Sequence, residues 1–190
     1  MEEKELQYWF YSLNYVGVKE SEKLLENFGS VEEVYKLTEE EVEQCEFLGE
    51  KGKTSILSSR SLFQIQKEYE YMQKQGIEFV CLESEEYPSR LRYINEPPKI
   101  LFYKGRLPRE EQKSVAVIGA RNCSNYGKWV AGEIGKLLKG FEACLISGMA
   151  RGIDGYGQQG ILEVGGESYG VLGCGVDICY PRENKWLYDK

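Results

Sequence analysis

A chain of 190 residues that is 42% apolar is long enough to bury a core in one large or two small domains. Its net charge of −7 lies wholly in residues 1–110, which hold 15 basic and 22 acidic groups, whereas residues 111–190 hold 9 of each; a broad basic face for a polyanion is excluded. There is no histidine, no Cys-x-x-Cys pair, no apolar run near the roughly 20 residues of a membrane helix and no signal-peptide pattern in the acidic start, so a cytosolic protein without a structural zinc site is expected.

Residues 5–60 read as several short helices. Leu6, Trp9, Phe10 and Leu13 recur at helical spacing, as do Leu24, Leu25 and Phe28. Gly29 ends the second helix, and Ser30 caps the next with Glu33 in a capping-box position. Thr38 and Glu41 repeat that signal, and Gly49 and Gly52 punctuate before the last helix of the group. Short helices joined by glycine turns resemble a helix-hairpin-helix or SAM-like module, a type that can hold DNA phosphates on backbone amides. Residues 1–50 carry 4 Lys against 14 Glu, which favours packing or partner docking over that use.

Leu62, Ile65 and Tyr69 mark a longer helix over 61–79, with Gly76 as its stop. The run 77–82 reads as a strand. Pro88, Pro97 and Pro98 bar a regular helix from residues 87–98. A second strand follows at 100–103, Gly105 turns out of it, and 104–113 is a polar connector. The expected division is a helical domain over 1–75 and an α/β domain over 76–190.

Three apolar runs, 115–118, 144–146 and 169–172, each enter a glycine-rich turn. The turns read Gly119-Ala-Arg-Asn-Cys-Ser-Asn-Tyr-Gly127, Ser147-Gly-Met-Ala-Arg-Gly-Ile-Asp154 and Gly173-Cys-Gly-Val-Asp-Ile-Cys-Tyr-Pro-Arg-Glu-Asn184. The first two lead into helical periodicity, and strand, turn, helix in repetition is the signature of a parallel sheet. Turns at the carboxyl ends of such strands gather on one edge, where ligands bind. Arg121, Arg151 and Arg182 are therefore expected to face one crevice. With the amides of Gly119, Gly148, Gly152 and Gly175 they make a site for an anion, above all phosphate.

Ser124 or Asn125 is placed to cap the helix after the first turn, which runs to about residue 138. The spacing is not Gly-x-Gly-x-x-Gly, so a dinucleotide site is poorly supported. Tyr180 offers a ring for stacking a base, and Arg182 and Asn184 offer donors. The alternative makes Tyr180 a core residue and Asn184 the cap of a helix starting at Lys185. Asp154 is open to two readings, a catalytic acid or, more simply, a helix cap or arginine partner. The six cysteines read as reduced fillers of apolar space.

In combination and order, several segments closely resemble the DNA-processing protein A family (DprA, also called Smf). They are Val-Ala-Val-Ile-Gly-Ala-Arg ending at Arg121, Ser147-Gly-Met-Ala-Arg-Gly-Ile-Asp154, Gly165-Gly166, and Val171-Leu-Gly-Cys-Gly-Val-Asp-Ile-Cys-Tyr-Pro-Arg-Glu-Asn184. Tyr87-Pro-x-x-Leu-Arg, Pro97-Pro98, Leu101-Phe-Tyr-Lys-Gly105 and Leu24-Leu-Glu-Asn-Phe-Gly-Ser30 extend the likeness over nearly the whole chain. The resemblance implies a Rossmann-like domain that binds single-stranded DNA and loads the RecA recombinase during uptake of transforming DNA. It implies that Arg121 contacts DNA phosphate and that Arg182 and Asn184 lie near the same groove.

The chain departs from the family pattern in three places. Ala120 stands where a serine is usual, Gln158 stands where a histidine is usual, and the chain stops at Lys190 where family members continue with further strands and helices. The expected fold is therefore an α/β, Rossmann-like parallel sheet incomplete at its C-terminus, preceded by the small all-α module. An exposed sheet edge invites self-association as a homodimer or higher species. The expected function is non-enzymatic, without cofactor or metal, with single-stranded DNA and RecA as partners and no membrane. One rival is a nucleoside-monophosphate-hydrolysing Rossmann-like enzyme, for which Gly165-Gly-Glu167 is a remnant lacking the Pro, Thr and spaced Glu of that motif. Another is an interaction module without DNA affinity.

Overall fold

The N-terminal helices are short because caps and glycines interrupt each amphipathic stretch. The computed structural model describes residues 1–190. It forms α1 (Glu3–Tyr11), α2 (Val18–Phe28), α3 (Val31–Lys36), α4 (Glu39–Glu43), α5 (Glu50–Ser58) and α6 (Leu62–Lys74). Thr38 and Glu41 close a full capping box at α4. At α3 only half of that device forms: Ser30 accepts the Glu33 amide, while the Glu33 carboxylate turns to Lys36.

The apolar stripes of these helices converge on Trp9, Phe10, Leu24, Val34, Val42 and Ile56. Full burial of each such side chain contributes about 1.5–3 kcal/mol. Arg60 donates to the carbonyl oxygens of Val34 and Leu37 at the end of α3, adding to the Leu37 N–H bond that Val34 O already accepts.

Two strands, β1 (Glu78–Cys81) and β2 (Ile100–Tyr103), pair antiparallel around the short helix α7 (Ser89–Arg92), with Glu78 opposite Tyr103 and Cys81 opposite Ile100. Tyr8 of α1 meets Phe79 and Phe102, with ring centroids 6.2 and 6.3 Å apart. This strand pair thus shares the helical core, and the chain divides into two compact units, Met1–Gly105 and Arg106–Lys190. The boundary read from the sequence at 75/76 falls earlier. There the hydrophobic period changes from helix to strand, but the core being filled does not change.

The second unit holds β3 (Lys113–Ala116), α8 (Asn125–Gly140), β4 (Ala143–Ser147), α9 (Ile153–Glu163), β5 (Ser168–Gly170), a 3-10 turn at Arg182–Asn184 and α10 (Lys185–Tyr188). Its three strands are parallel in the order β3-β4-β5. β3 and β5 begin earlier than the apolar runs 115–118 and 169–172. Pairing persists past their ends, since Val117 N–H donates to Ile146 O at 3.0 Å and Val171 N–H to Ser147 O at 2.8 Å.

Both crossover helices pack on β4 and on each other. They approach closely because glycines meet at the crossing. A Cβ on Gly135 would stand 2.2 Å from Gly157 O, and one on Gly160 would stand 2.1 Å from Gly132 O. Val117, Leu138, Ala143, Leu145 and Ile161 fill the space beneath. The far side of α8 leaves Tyr126, Trp129 and Leu137 exposed, and β3 and β5 each present an unpaired edge. No helix is long and apolar enough to cross a membrane.

Candidate nucleic-acid interface

The three turns that follow β3, β4 and β5 are tied together by buried polar groups. Asp154, in the first turn of α9 and only 5% exposed, accepts the amide of Gly119 at 3.2 Å and that of Gly148 at 3.1 Å. One carboxylate thereby joins the first turn to the second. Ser147 adds a hydroxyl bond to Val117 O at 2.6 Å. Gly152 sits at φ +76°, and a Cβ there would lie 2.2 Å from Ala120 O and 2.5 Å from Arg121 O. Only glycine fits both that backbone and that approach. Asn184 closes the arrangement from the third turn, its Nδ2 donating to Met149 O at 2.8 Å and Ala150 O at 3.0 Å.

Between these turns lies a cavity of about 430 Å³ whose walls include Arg121, Gly148, Arg151, Leu172, Cys174 and Tyr180. That volume is in the range of small-ligand sites. Arg121 is exposed and makes no hydrogen bond or ion pair, so its donors are free for a ligand. Arg151 is held by Glu183 at 2.5 Å, but both partners are more than half exposed, and such pairs contribute only about 0–1 kcal/mol. A phosphate can displace Glu183 at small cost. Tyr180 is 66% exposed, so its ring is available at the cavity wall rather than spent in the core. The site thus offers two guanidinium groups and a ring face, suited to phosphate on one side and a planar group on the other.

Several residues singled out in the sequence lie elsewhere or do other work. Arg182 is exposed in the 3-10 turn but does not line the cavity, so two arginines converge there rather than three. The amides of Gly119 and Gly148 are taken by Asp154 and do not point to a ligand. Ser124 caps α8, its hydroxyl accepting from Gly127 N–H at 3.1 Å, and stands outside the cavity wall. Gly152 serves the approach of two turns. Gly175 accepts from Ile178 N–H at 2.9 Å within its own turn. Asn184 turns its donors inward, neither to the crevice nor to the start of α10.

Asp154 neither caps α9 nor pairs with an arginine; its carboxylate accepts turn amides instead. Its partners include an amide 35 positions away, which local patterns cannot register. The cysteines also divide. Cys45, Cys81 and Cys144 are buried, whereas Cys123, Cys174 and Cys179 are partly exposed in the turns. No group of three or more His, Cys, Asp or Glu side chains is placed to hold a metal ion.

The family described as DNA recombination-mediator protein A matches residues 78–190. The chain is similar to DNA processing protein DprA of Streptococcus pneumoniae, with 40% identity over 105 residues, covering 54% of this chain and 36% of that protein. It is similar to Protein Smf of Synechocystis, with 28% identity over 196 residues, covering 100% of this chain and 49% of that protein. The X-ray structure of DNA processing protein A from Streptococcus pneumoniae matches the fold with a TM-score of 0.72 at 27% identity, over 100% of this chain and 64% of that one. The chain therefore spans about half or less of the length of these two curated relatives. A family match over more than half of the chain and a fold match along all of it agree: the chain belongs to the DNA recombination-mediator protein A (DprA/Smf) family.

Proposed function

We propose that the strand-end cavity of the second unit binds single-stranded DNA, with Arg121 and Arg151 on phosphate and Tyr180 stacking a base. The observation that carries this reading is Arg121: an exposed, unpartnered guanidinium beside an exposed ring in a chain whose relatives are named for DNA processing. The second unit is charge-balanced, so affinity comes from placed groups rather than a basic field, with little sequence preference and a clear dependence on salt.

The protein acts in the cytoplasm as a non-enzymatic module that protects incoming strands and helps load RecA. Asp154, at the end of the second turn, is buried and already accepts two amides, which suits a structural role and not a catalytic acid. The unpaired edge of β3 beside the exposed Val115 favours self-association.

Titration of a labelled single-stranded oligonucleotide by fluorescence anisotropy tests the reading. Arg121→Ala should weaken binding by about 1–3 kcal/mol, the loss of a charge-assisted contact. Arg121→Lys should recover only part of that, because the bidentate fork is gone. Equal affinities for wild type and Arg121→Ala would remove the assignment.

A further inference from the structure

Two of the partly exposed cysteines flank one tight turn in the cavity wall. Ile178 N–H donates to Gly175 O at 2.9 Å, closing a four-residue turn, and Cys174 and Cys179 are the residues immediately outside it. Tyr188 Oη donates to Val176 O and holds the tip of that turn from α10. The turn brings the two cysteines close. Cys174 Sγ lies 3.6 Å from the carbonyl oxygen of Ile178, the peptide that carries Cys179, and Cys179 Sγ lies 3.8 Å from Pro181 O. A disulfide asks for Cα atoms about 4.4–6.8 Å apart, so its closure draws the Cys179 side chain from Pro181 towards Cys174.

Three of the other four thiols are poorly placed to compete: Cys45, Cys81 and Cys144 are buried, and burial pushes the Cys81 thiol up to about 12. Cys123 is partly exposed in the turn after β3, away from the turn that Cys174 and Cys179 flank. Lys185, held protonated first by its hydrogen bond to Asp189, lies close enough to Cys179 to interact with it electrostatically.

We propose that Cys174 and Cys179 form a reversible dithiol–disulfide pair that reshapes the strand-end cavity. The oxidant is a low-molecular-weight disulfide of the glutathione type. The Cys179 thiolate attacks one sulfur of that disulfide, forming a mixed disulfide and expelling one thiolate. The Cys174 thiolate then attacks the Cys179 sulfur and expels the second. Two electrons pass from the protein pair to the small disulfide, and the two cysteine protons end on the two released thiols. Cys174 lines the cavity and Cys179 precedes Tyr180, which also lines it. Drawing the two sulfurs into a bond moves Cys174 off the wall and shifts Tyr180. The pair does not depend on what the cavity binds.

The test uses the full chain in glutathione buffers of graded ratio, quenched by alkylation and read by intact mass and peptide mapping. The expected product carries no glutathione on Cys174 or Cys179, maps to a bond between them with the loss of two hydrogens, and reverts with dithiothreitol. Cys174→Ser should instead retain a mixed glutathione disulfide on Cys179. Amide hydrogen exchange over residues 171–181 should slow at least severalfold in the oxidised form and remain unchanged in Cys179→Ser under the same buffer. Two alkylated thiols at every ratio, a disulfide mapped to Cys123 or between two chains, or exchange that is the same in both forms would overturn the proposal. The wild-type measurements stand alone if a variant fails to fold.

Discussion

The buried carboxylate of Asp154 accepts the backbone amide of Gly119, 3.2 Å away, and so ties the start of α9 to the turn after β3. The same carboxylate takes the amide of Gly148 at 3.1 Å. Asp154→Asn keeps a single acceptor oxygen and turns an NH2 towards the other amide. One buried donor is then left without a partner, which costs about 1–3 kcal/mol. Urea unfolding of the second unit should show a lower midpoint with little change in slope. An unaltered midpoint would mean that water replaces the lost bond.

The crossing of α8 and α9 leaves no room for side chains at Gly135 and Gly160. Gly160→Ala would put a Cβ 2.1 Å from Gly132 O, against backbone that cannot step aside. The helices must separate, and the core beneath them opens. Destabilisation of about 3 kcal/mol or more is expected, at the high end for single substitutions. Gly140→Ala, at the end of the same α8, meets nothing within 4 Å and should be neutral or stabilising by up to about 1 kcal/mol. Thermal melts of the two variants provide the comparison, and equal losses would contradict the crossing geometry.

Lys99 gives the first unit a specific dependence on pH. Burial lowers its ammonium to about 8, with Glu20 and Glu83 only partly opposing the shift, and its Nζ donates to Leu13 O at 3.4 Å. The folded value lies below the unfolded one of about 10.4. The cost of the buried charge is therefore fully present below pH 8 and falls as pH rises from 8 towards 10. Lys99→Met should stabilise the unit at pH 7 by about 1–2 kcal/mol, a figure reduced for solvent screening. The advantage should shrink by pH 9.5. Tyr8, Tyr11 and Cys81, all raised by burial, oppose stability at still higher pH, but they are present in both proteins and cancel in the difference. Paired urea titrations at the two pH values check this, and a gap that does not narrow would contradict it.

Local signals were well expressed in the sequence. The box of Thr38 with Glu41, the cap at Ser124 and the strand at 100–103 depend on neighbours within a few residues, and they stand where their patterns put them. The parallel order of three strands was equally legible, because each apolar run enters a glycine turn. What escaped depends on distant partners. Nothing local says that Asp154 serves Gly119 or that Asn184 serves Met149. Nothing local says that Arg182, adjacent to the cavity-lining Pro181, falls outside the wall that holds Arg121. The strand pair of β1 and β2 joined the helical unit for the same reason, since its aromatic partner Tyr8 sits at the far end of the sequence.

The distinction between Arg121 and Arg182 gives the most direct test of the cavity as the binding site. Both are exposed arginines in glycine-rich turns, but only Arg121 lines the cavity. Oligonucleotide affinities of wild type, Arg121→Ala and Arg182→Ala should be compared by anisotropy at two salt concentrations. The cavity account predicts at least about a fivefold loss for Arg121→Ala at both, equivalent to about 1 kcal/mol. It predicts a loss within about twofold for Arg182→Ala that fades at the higher salt. Equal losses for the two variants, or a larger loss for Arg182→Ala, would contradict it.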